Sequence, residues 1–305
     1  MMKQPLVSII TVNYNGLLHT QAFLAAMQKV SYPSIEIIVV DNASKEDAAI
    51  LKVTYPEIIL LKSEMNLGFA GGNNLGIQRA KGDYILLLNN DTEPAPGFLE
   101  PLVELMLSRP QIGAVTAKLL YYDDPSRVQF AGGTGINLYT GRGFAIGYGA
   151  LDGTEYCQNY QTKAIHGAAC MFSRAVLEKV GNMSTLFFLY YEETDYYERI
   201  HKAGFEVWFC GMSKVLHKES MSTGKQSPLK IYYLTRNRLL FLRRNTSGLK
   251  KLVAVLFYWF VAIPKGFFLY AFKFQLALAF AMLKGACWNL TNFNIYNDLH
   301  LNNHK

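Results

Sequence analysis

A chain of 305 residues can hold one large domain, or a domain with an appendage. Half of it is hydrophobic and 17% is charged, so it can bury a core and has apolar surface to spare. Its formal net charge is +7, and with no nucleic-acid motif to use that charge, phosphate-bearing ligands or an anionic membrane surface become the expected partners instead of nucleic acid.

Residues 6–12 form a β-rich run that stops at Asn13-Tyr-Asn-Gly16. A helical pattern follows on Leu18, Ala22, Leu24 and Met27 and ends before Tyr32-Pro33. Residues 35–40 read as a second strand, ending in Asp41-Asn-Ala-Ser44. A short helix to about Tyr55 leads to a third strand at 58–61. The Gly-rich stretch 66–76 comes next, with a helix expected after it to about Ala80. Residues 84–88 are almost wholly apolar, as in a central strand buried on both faces, and end abruptly in Asn89-Asn90-Asp91. Strand–helix alternation with short loops predicts βαβ units and a mostly parallel sheet. In such sheets ligands bind beyond the carboxyl ends of the strands. Three of these four strands end in polar residues that could reach one, namely Asn13, Asp41 and Asp91. A carboxylate at Asp91 is well sited to hold a divalent metal that neutralises a diphosphate. The plainer reading is a polar loop whose Asn and Asp cap turns.

The stretch 66–76 is not a dinucleotide fingerprint, because it lies two strands too late, and no Gly-Lys-Ser/Thr follows to make it a Walker loop. Close backbone approach to a ligand and amide donors at a helix N-terminus remain for it, against a flexible turn. A helix to about Ser108 and a strand at 112–120 follow. Residues 121–162, rich in Gly and Tyr, read as an irregular hairpin region beside the site. Residues 163–174 form a small-residue strand feeding a helix that ends near Gly181. His166, Gly167 and Ala168 there leave room for an acceptor or sugar, or for tight strand packing.

Aromatics at 187–191 lead into Glu192, Glu193, Asp195 and Glu198, with a helix expected from about Thr194 to Gly204. Acidic residues suit a helix start for dipole reasons alone. One of them could also serve as a general base, its pKa raised by the aromatic surroundings. A strand at 206–209 precedes His217. The amphipathic helix 231–244 carries Arg236, Asn237, Arg238, Arg243 and Arg244, a cluster that suits phosphate or membrane headgroups, or simply a solvated face. From 252 to 283 the chain is overwhelmingly apolar and aromatic. Its longest uncharged run, 252–264, falls short of the ~20 residues needed to span a bilayer. Lys265, Lys273 and Lys284 fall within roughly a third of a helical circumference. That pattern favours helices lying in the membrane interface over a tilted or hairpin membrane segment. Cys157, Cys170, Cys210 and Cys287 show no zinc or redox spacing, and the N-terminus lacks the apolar segment and cleavage site of a signal peptide, so a cytosolic setting is expected.

Seven of these stretches stand in an order that resembles family 2 glycosyltransferases of the rhamnosyltransferase-like branch. They are Val7-Ser-Ile-Ile-Thr-Val-Asn-Tyr-Asn-Gly16, Val39-Val-Asp-Asn-Ala-Ser44, Asn66-Leu-Gly-Phe-Ala-Gly-Gly-Asn-Asn74, Leu86-Leu-Leu-Asn-Asn-Asp-Thr92, Gly167-Ala168, Glu192-Glu-Thr-Asp195 and His217. The resemblance implies an α/β GT-A fold over residues 1–245, a Rossmann-like, mostly parallel central sheet flanked by helices. Residues 246–305 would be a helical, membrane-associating tail. By the same resemblance Asp41 contacts the base or ribose of a nucleotide sugar. Thr11, Asn13 and Asn73 line that pocket, with Asn66, Gly68, Gly72, Asn89 and Asn90 beside it. Asp91 is the surviving carboxylate of the family's Asp-x-Asp element and holds Mg²⁺ or Mn²⁺, with His217 completing the site. Asn89 replaces the first Asp and leaves fewer charged ligands.

Glu193 stands where the family has Asp, and it is the favoured base; Glu192 and Asp195 stay open. The implied reaction is a single in-line, inverting displacement from a nucleotide-diphosphate sugar, of rhamnose or another hexose, to a hydroxyl of a glycan or lipid-linked acceptor. It would take place on the cytoplasmic face of the cell membrane, in bacterial surface-polysaccharide synthesis. A catalytically impaired nucleotide-sugar-binding protein of the same fold is the alternative that the Asn89 and Glu193 departures would signal. A nucleotidyltransferase would need a basic Gly-rich signature that Val12-Asn-Tyr-Asn-Gly16 lacks.

Overall fold

The computed structural model describes residues 4–218 and 226–294. Its first half follows the expected alternation. β1 (Val7–Asn13), α1 (Leu17–Met27), β2 (Ile35–Asn42), α2 (Ile50–Thr54), β3 (Ile59–Ser63), α3 (Gly68–Ile77) and β4 (Tyr84–Leu88) come in order. β5 (Thr92–Pro94), α4 (Leu99–Ser108), β6 (Ile112–Tyr121), β7 (Val128–Phe130) and β8 (Tyr160–Gln161) follow. Then come β9 (Ala169–Ser173), α5 (Arg174–Val180), α6 (Glu192–Lys202), β10 (Glu206–His217) and α7 (Pro228–Asn245). All the strands join one sheet, in the order β3-β2-β1-β4-β9-β6-β10-β5, with β7 on β6 and β8 on β10. β1 to β4 pair in parallel, as do β6 and β10, and most residue pairings are parallel. β9 runs antiparallel between β4 and β6.

β4 is buried on both faces because its side chains feed two cores. Leu86 and Leu88 pack with Phe23, Leu24 and the α4 side chains, whereas Ile85 and Leu87 pack with Ala70, Val176 and Tyr196. A Leu86→Ala cavity here would cost about 2–5 kcal/mol.

Four expectations change. First, the Gly-rich stretch is itself the helix α3, because its glycines let it lie on β1. A Cβ on Gly76 would stand 2.4 Å from Ile10 Cγ2. The close approach expected of these glycines is, at Gly72 and Gly76, an approach to a strand. Second, the strand at 206–209 continues to His217, past a register shift between Cys210 and Lys214. Its end pairs antiparallel with β5, placing His217 opposite Thr92. Third, α6 begins at Glu192, two residues earlier than expected.

The fourth concerns the C-terminal region. The apolar stretch forms a 25-residue helix, α8 (Gly248–Phe272), long and apolar enough to cross a membrane. The uncharged run understated it because the helix continues through Lys265. A π turn at Tyr258–Ala262 precedes Pro264, whose ring and missing N–H would otherwise break the hydrogen-bond ladder there. α9 (Leu276–Thr291) packs along α7. The α7 arginines are not a headgroup-binding face. Arg236, Arg238 and Arg243 are buried and donate to the carbonyls of Leu186, Thr140 and Asn292 respectively, and Arg244 pairs with Asp195. In this helix charge is spent on carbonyls, since an unpaired buried charge would be far costlier. The 121–162 excursion is pinned similarly: Lys118, fully buried in β6, reaches Asp152 at 2.7 Å.

Candidate active site

A cavity of about 420 Å³ opens at the carboxyl ends of β1, β2, β4 and β10. Of the residues singled out in the sequence, Asn66, Gly68, Asn89, Asn90, Asp91, His166, Gly167, Ala168, Glu192, Glu193 and His217 line it. Thr11, Asn13, Asp41, Gly72, Asn73 and Asp195 do not.

At one end Asp91 leaves β4 and His217 leaves β10. The β5–β10 pairing brings His217 Nε2 to 3.3 Å from Asp91 Oδ1. His217 Nδ1 donates to Gln129 Oε1 at 2.7 Å, so Nε2 is the nitrogen turned to the carboxylate. Asp91 Oδ1 is buried and finds no other hydrogen-bond donor among the described residues. Two electron-pair donors facing each other at this distance call for a proton or a cation between them. Burial alone would raise the Asp91 carboxyl, but the hydrogen bond and charge of His217 outweigh it and hold the carboxyl below its usual range. No third His, Cys, Asp or Glu joins them among the described residues. The pair therefore fits a divalent ion that takes its remaining ligands from phosphate oxygens and water. His166 lies edge-on to His217, with ring centroids 5.7 Å apart. Burial, and then the His217 charge, push its pKa down to about 3, so it stays neutral. Its Nδ1 accepts from the Ala168 amide.

The strand ends β1, β2 and β4 carry a network of short polar side chains. Asn13 Nδ2 donates to Asp41 Oδ1 at 2.9 Å and to Ser44 Oγ at 3.0 Å. Asn13 Oδ1 accepts from Thr20 Oγ1, which in turn accepts from Asn90 Nδ2. Asn13 thus braces Asp41 and Asn90 from beneath the cavity. Asn42 receives the Leu67 amide on its oxygen and donates to Asn66 Oδ1 and the Gly68 carbonyl, which fixes the turn into α3. Asn73 donates to the Phe69 carbonyl inside α3. Thr11 Oγ1 is buried under the sheet end and has no partner among the described residues.

At the other end stand the carboxylates. Glu193 lines the cavity with its Cβ beside Gly167: a Cβ on that glycine would lie 3.8 Å away and 3.2 Å from the Phe69 ring. Burial raises the Glu193 carboxyl above its ordinary range. Burial, and then the Glu193 charge, raise Glu192 well above it, and Glu192 Oε2 is buried with no partner among the described residues. Both carboxyls therefore hold a proton more tightly than a solvated one, which is the direction a general base needs. Asp195 differs. It is buried and accepts from Arg199 at 3.0 Å, Arg244 at 3.1 Å and Asn245 at 3.2 Å, so its oxygens are occupied in tying α6 to α7.

The backbone leading to these carboxylates is strained. Phe188, Tyr190 and Tyr191 have φ of 64°, 66° and 75°. Such values cost of order 1–3 kcal/mol per residue without glycine and persist only where surroundings enforce them. Gly68, at φ 71°, meets this loop directly, since a Cβ there would stand 2.2 Å from the Phe188 carbonyl oxygen. That oxygen accepts the Phe69 amide at 2.8 Å.

Sequence reasoning missed Asn42, Gln129, Tyr14, Tyr148, Phe188 and Lys230 as lining residues. Asn42 follows Asp41 directly and was within reach of the strand-end argument. Gln129 and Tyr148 lie in the weakly patterned 121–162 excursion, and Lys230 at the start of α7, where no pattern marked them.

Residues 8–181 match the profile described as Glycosyl transferase family 2. The chain is 23% identical over 269 residues to the N-acetylglucosaminyl-diphospho-decaprenol L-rhamnosyltransferase of Mycobacterium tuberculosis, across 79% of this chain and 85% of that protein. It is 28% identical over 236 residues to an uncharacterised protein of Sinorhizobium fredii, covering 73% of this chain but spanning only 25% of that longer relative. Among solved structures, a Pyrobaculum calidifontis mannosyltransferase in complex with GDP-Man and Mn²⁺ superposes with a TM-score of 0.59 at 16% identity, over 95% of this chain and 88% of that one. GalNAc-T7 with UDP, GalNAc and Mn²⁺ superposes with a TM-score of 0.63 at 15% identity, over 79% of this chain and 49% of that one.

Proposed function

The chain belongs to glycosyl transferase family 2 and is a glycosyltransferase of the rhamnosyltransferase-like kind with a GT-A fold, and from that premise we propose an inverting, metal-assisted transfer from a nucleoside-diphosphate sugar to a hydroxyl of a glycan or lipid-linked acceptor. One observation carries the reading: a single cavity has the Asp91–His217 pair at one end and the Glu193 carboxylate at the other. Asn66 and Asn90 then stand on the nucleotide side, with Asn13 and Asp41 beneath them, and Gly167 and Ala168 leave space for sugar between the two ends. Glu193 takes the proton of the acceptor hydroxyl as that oxygen attacks the anomeric carbon. Glu192, adjacent and buried, has its own proton affinity raised by burial and by the Glu193 charge, and Asp195 serves the helix rather than the reaction. A divalent cation held by Asp91 and His217 would neutralise charge on the departing diphosphate. One displacement inverts the anomeric centre.

The exposed apolar face of α8 supports a membrane-bound acceptor. Phe260, Phe268 and Phe272 stand on it, the last 81% exposed. The hydroxyl of Tyr258, in the middle of α8, donates to the Thr235 carbonyl of α7 at 2.9 Å. A helix pinned at its midpoint to the catalytic domain lies along the membrane more readily than through it, which favours a peripheral seat on the cytoplasmic face.

Calorimetric titration of UDP, dTDP and GDP with and without Mn²⁺, into the wild type and Asp91→Ala, tests the site. Metal-dependent binding of one diphosphate is expected, weakened at least about tenfold in the variant. Binding of none by a folded wild type would remove the site assignment.

A further inference from the structure

The strained loop that delivers Glu192 and Glu193 is held by its carbonyls, and the holders come mostly from α7. Asn237 is fully buried. Its Nδ2 donates to the carbonyls of Phe187 at 2.8 Å, Leu189 at 2.8 Å and Tyr190 at 2.7 Å. Its Oδ1 accepts from Arg236 Nε at 2.7 Å. A guanidinium can only donate, so this contact fixes which way the amide points and aims its nitrogen at the loop. Arg236 Nη2 also takes the Leu186 carbonyl at 2.7 Å. With the Phe69 amide on the Phe188 carbonyl, five consecutive carbonyls, from Leu186 to Tyr190, each have a donor.

The left-handed backbone at Phe188, Tyr190 and Tyr191 runs directly into α6, whose Glu192 and Glu193 line the cavity. Without the α7 donors the partly buried Leu189 and Tyr190 carbonyls would lose the Asn237 bond, and the loop would relax toward ordinary φ values, carrying the start of α6 with it. The α9 helix contributes as well, because the Arg236 guanidinium lies between the rings of Tyr233, at 4.7 Å, and Trp288, at 4.8 Å.

We propose that Asn237 and Arg236 are positioning residues for the reaction: they clamp the 186–190 carbonyls, and with them the left-handed backbone at Phe188, Tyr190 and Tyr191, so that Glu192 and Glu193 face the cavity. Neither side chain lines the cavity. The proposal rests on the reading of Glu193 as the base.

The test uses the full chain in detergent, as wild type, Asn237→Ala and Asn237→Leu. Hydrogen–deuterium exchange is followed over residues 185–192. Calorimetry measures the affinity for the nucleoside diphosphate that wild type binds with Mn²⁺, and turnover is read as release of that diphosphate from its nucleotide sugars in the presence of membrane lipid extract. Exchange in 185–192 is expected to rise about tenfold or more, with β1, β2 and β4 unchanged. Turnover should fall about 100-fold, as expected for a displaced catalytic group, with nucleotide affinity kept within about twofold. Unchanged exchange in the loop, or turnover and nucleotide affinity lost in equal measure together with exchange protection throughout the sheet, would overturn the clamp. If wild type binds no nucleotide, the reading of the active site fails, and the exchange result alone decides the clamp. Should both Asn237 variants fail to fold, Arg236→Lys keeps the charge but loses the fork across Asn237 and Leu186, and the same local rise in exchange is required of it.

Discussion

The two ends of the cavity are held by different means. At the strand-end side, short polar side chains sit where β1, β2 and β4 stop, and they bond to one another: Asn13 to Asp41, Thr20 to Asn13, Asn90 to Thr20. The backbone there turns left-handed only at single residues just past the strands, Asn15 and Ala43, and is otherwise ordinary strand and helix. At the carboxylate end the backbone itself is bent, with three non-glycine residues at positive φ, and distant side chains of α7 hold its carbonyls. The first end is rigid because the sheet is. The second is rigid only while its donors stay in place, which is where strain tends to be found in catalytic sites.

Splitting binding from chemistry breaks this comparison most directly. Glu193→Gln should cut turnover by about 10²–10⁴-fold, the usual worth of a general base, while metal-dependent nucleotide binding stays within about twofold. Equal loss of both would mean the ends are one unit, and unchanged turnover would move the base to Glu192.

Gly68 sharpens the comparison because it stands on the seam. Gly68→Ala drives a Cβ into the Phe188 carbonyl and a side chain into a positive φ. A loss of about 1–3 kcal/mol in urea unfolding is expected, with turnover falling further than nucleotide affinity. Unchanged stability would mean the loop moves aside at no cost and is not held.

The smallest effect is one of pH, and its sign differs between the ends. The Asp91 carboxyl is depressed, so its stabilising share is present above its unfolded pKa and is lost as pH falls through the folded one, below about pH 4. Glu192 and Glu193 are raised, so the native state holds more protons than the unfolded chain. Their share is present below an unfolded pKa of about 4.3 and is lost as pH rises through the raised values. Melting curves of metal-free protein should therefore flatten on the high-pH side in Glu192→Gln and on the acid side in Asp91→Asn. The same slope in both variants as in wild type would show that other groups set the dependence.

Much of the strand-end side of the cavity was readable in the residues. A strand buried on both faces must be apolar throughout, so its polar stop announces itself, and Asn13, Asp41 and Asn89-Asn90-Asp91 all stand at such stops. The Glu192–Glu193 pair was readable as a cluster, though not its division of labour. Asp195 carries the same charge as its neighbours, and only the arrival of Arg199, Arg244 and Asn245 sets it apart. The α7 arginines read as a face for headgroups because periodicity reports which residues share a side of a helix, not what covers that side. Here carbonyls of the 186–190 loop and of α9 cover it.

The succession of strands and helices, the polar stop at Asp91 and the family resemblance follow from local runs and their spacing, because backbone hydrogen bonding and burial act over a few residues at a time. The meeting of His217 with Asp91 was decided by the β5–β10 register. The left-handed turn at 188–191 was decided by Asn237, some fifty residues on. Contacts of that span depend on how whole layers pack, and no local pattern encodes them.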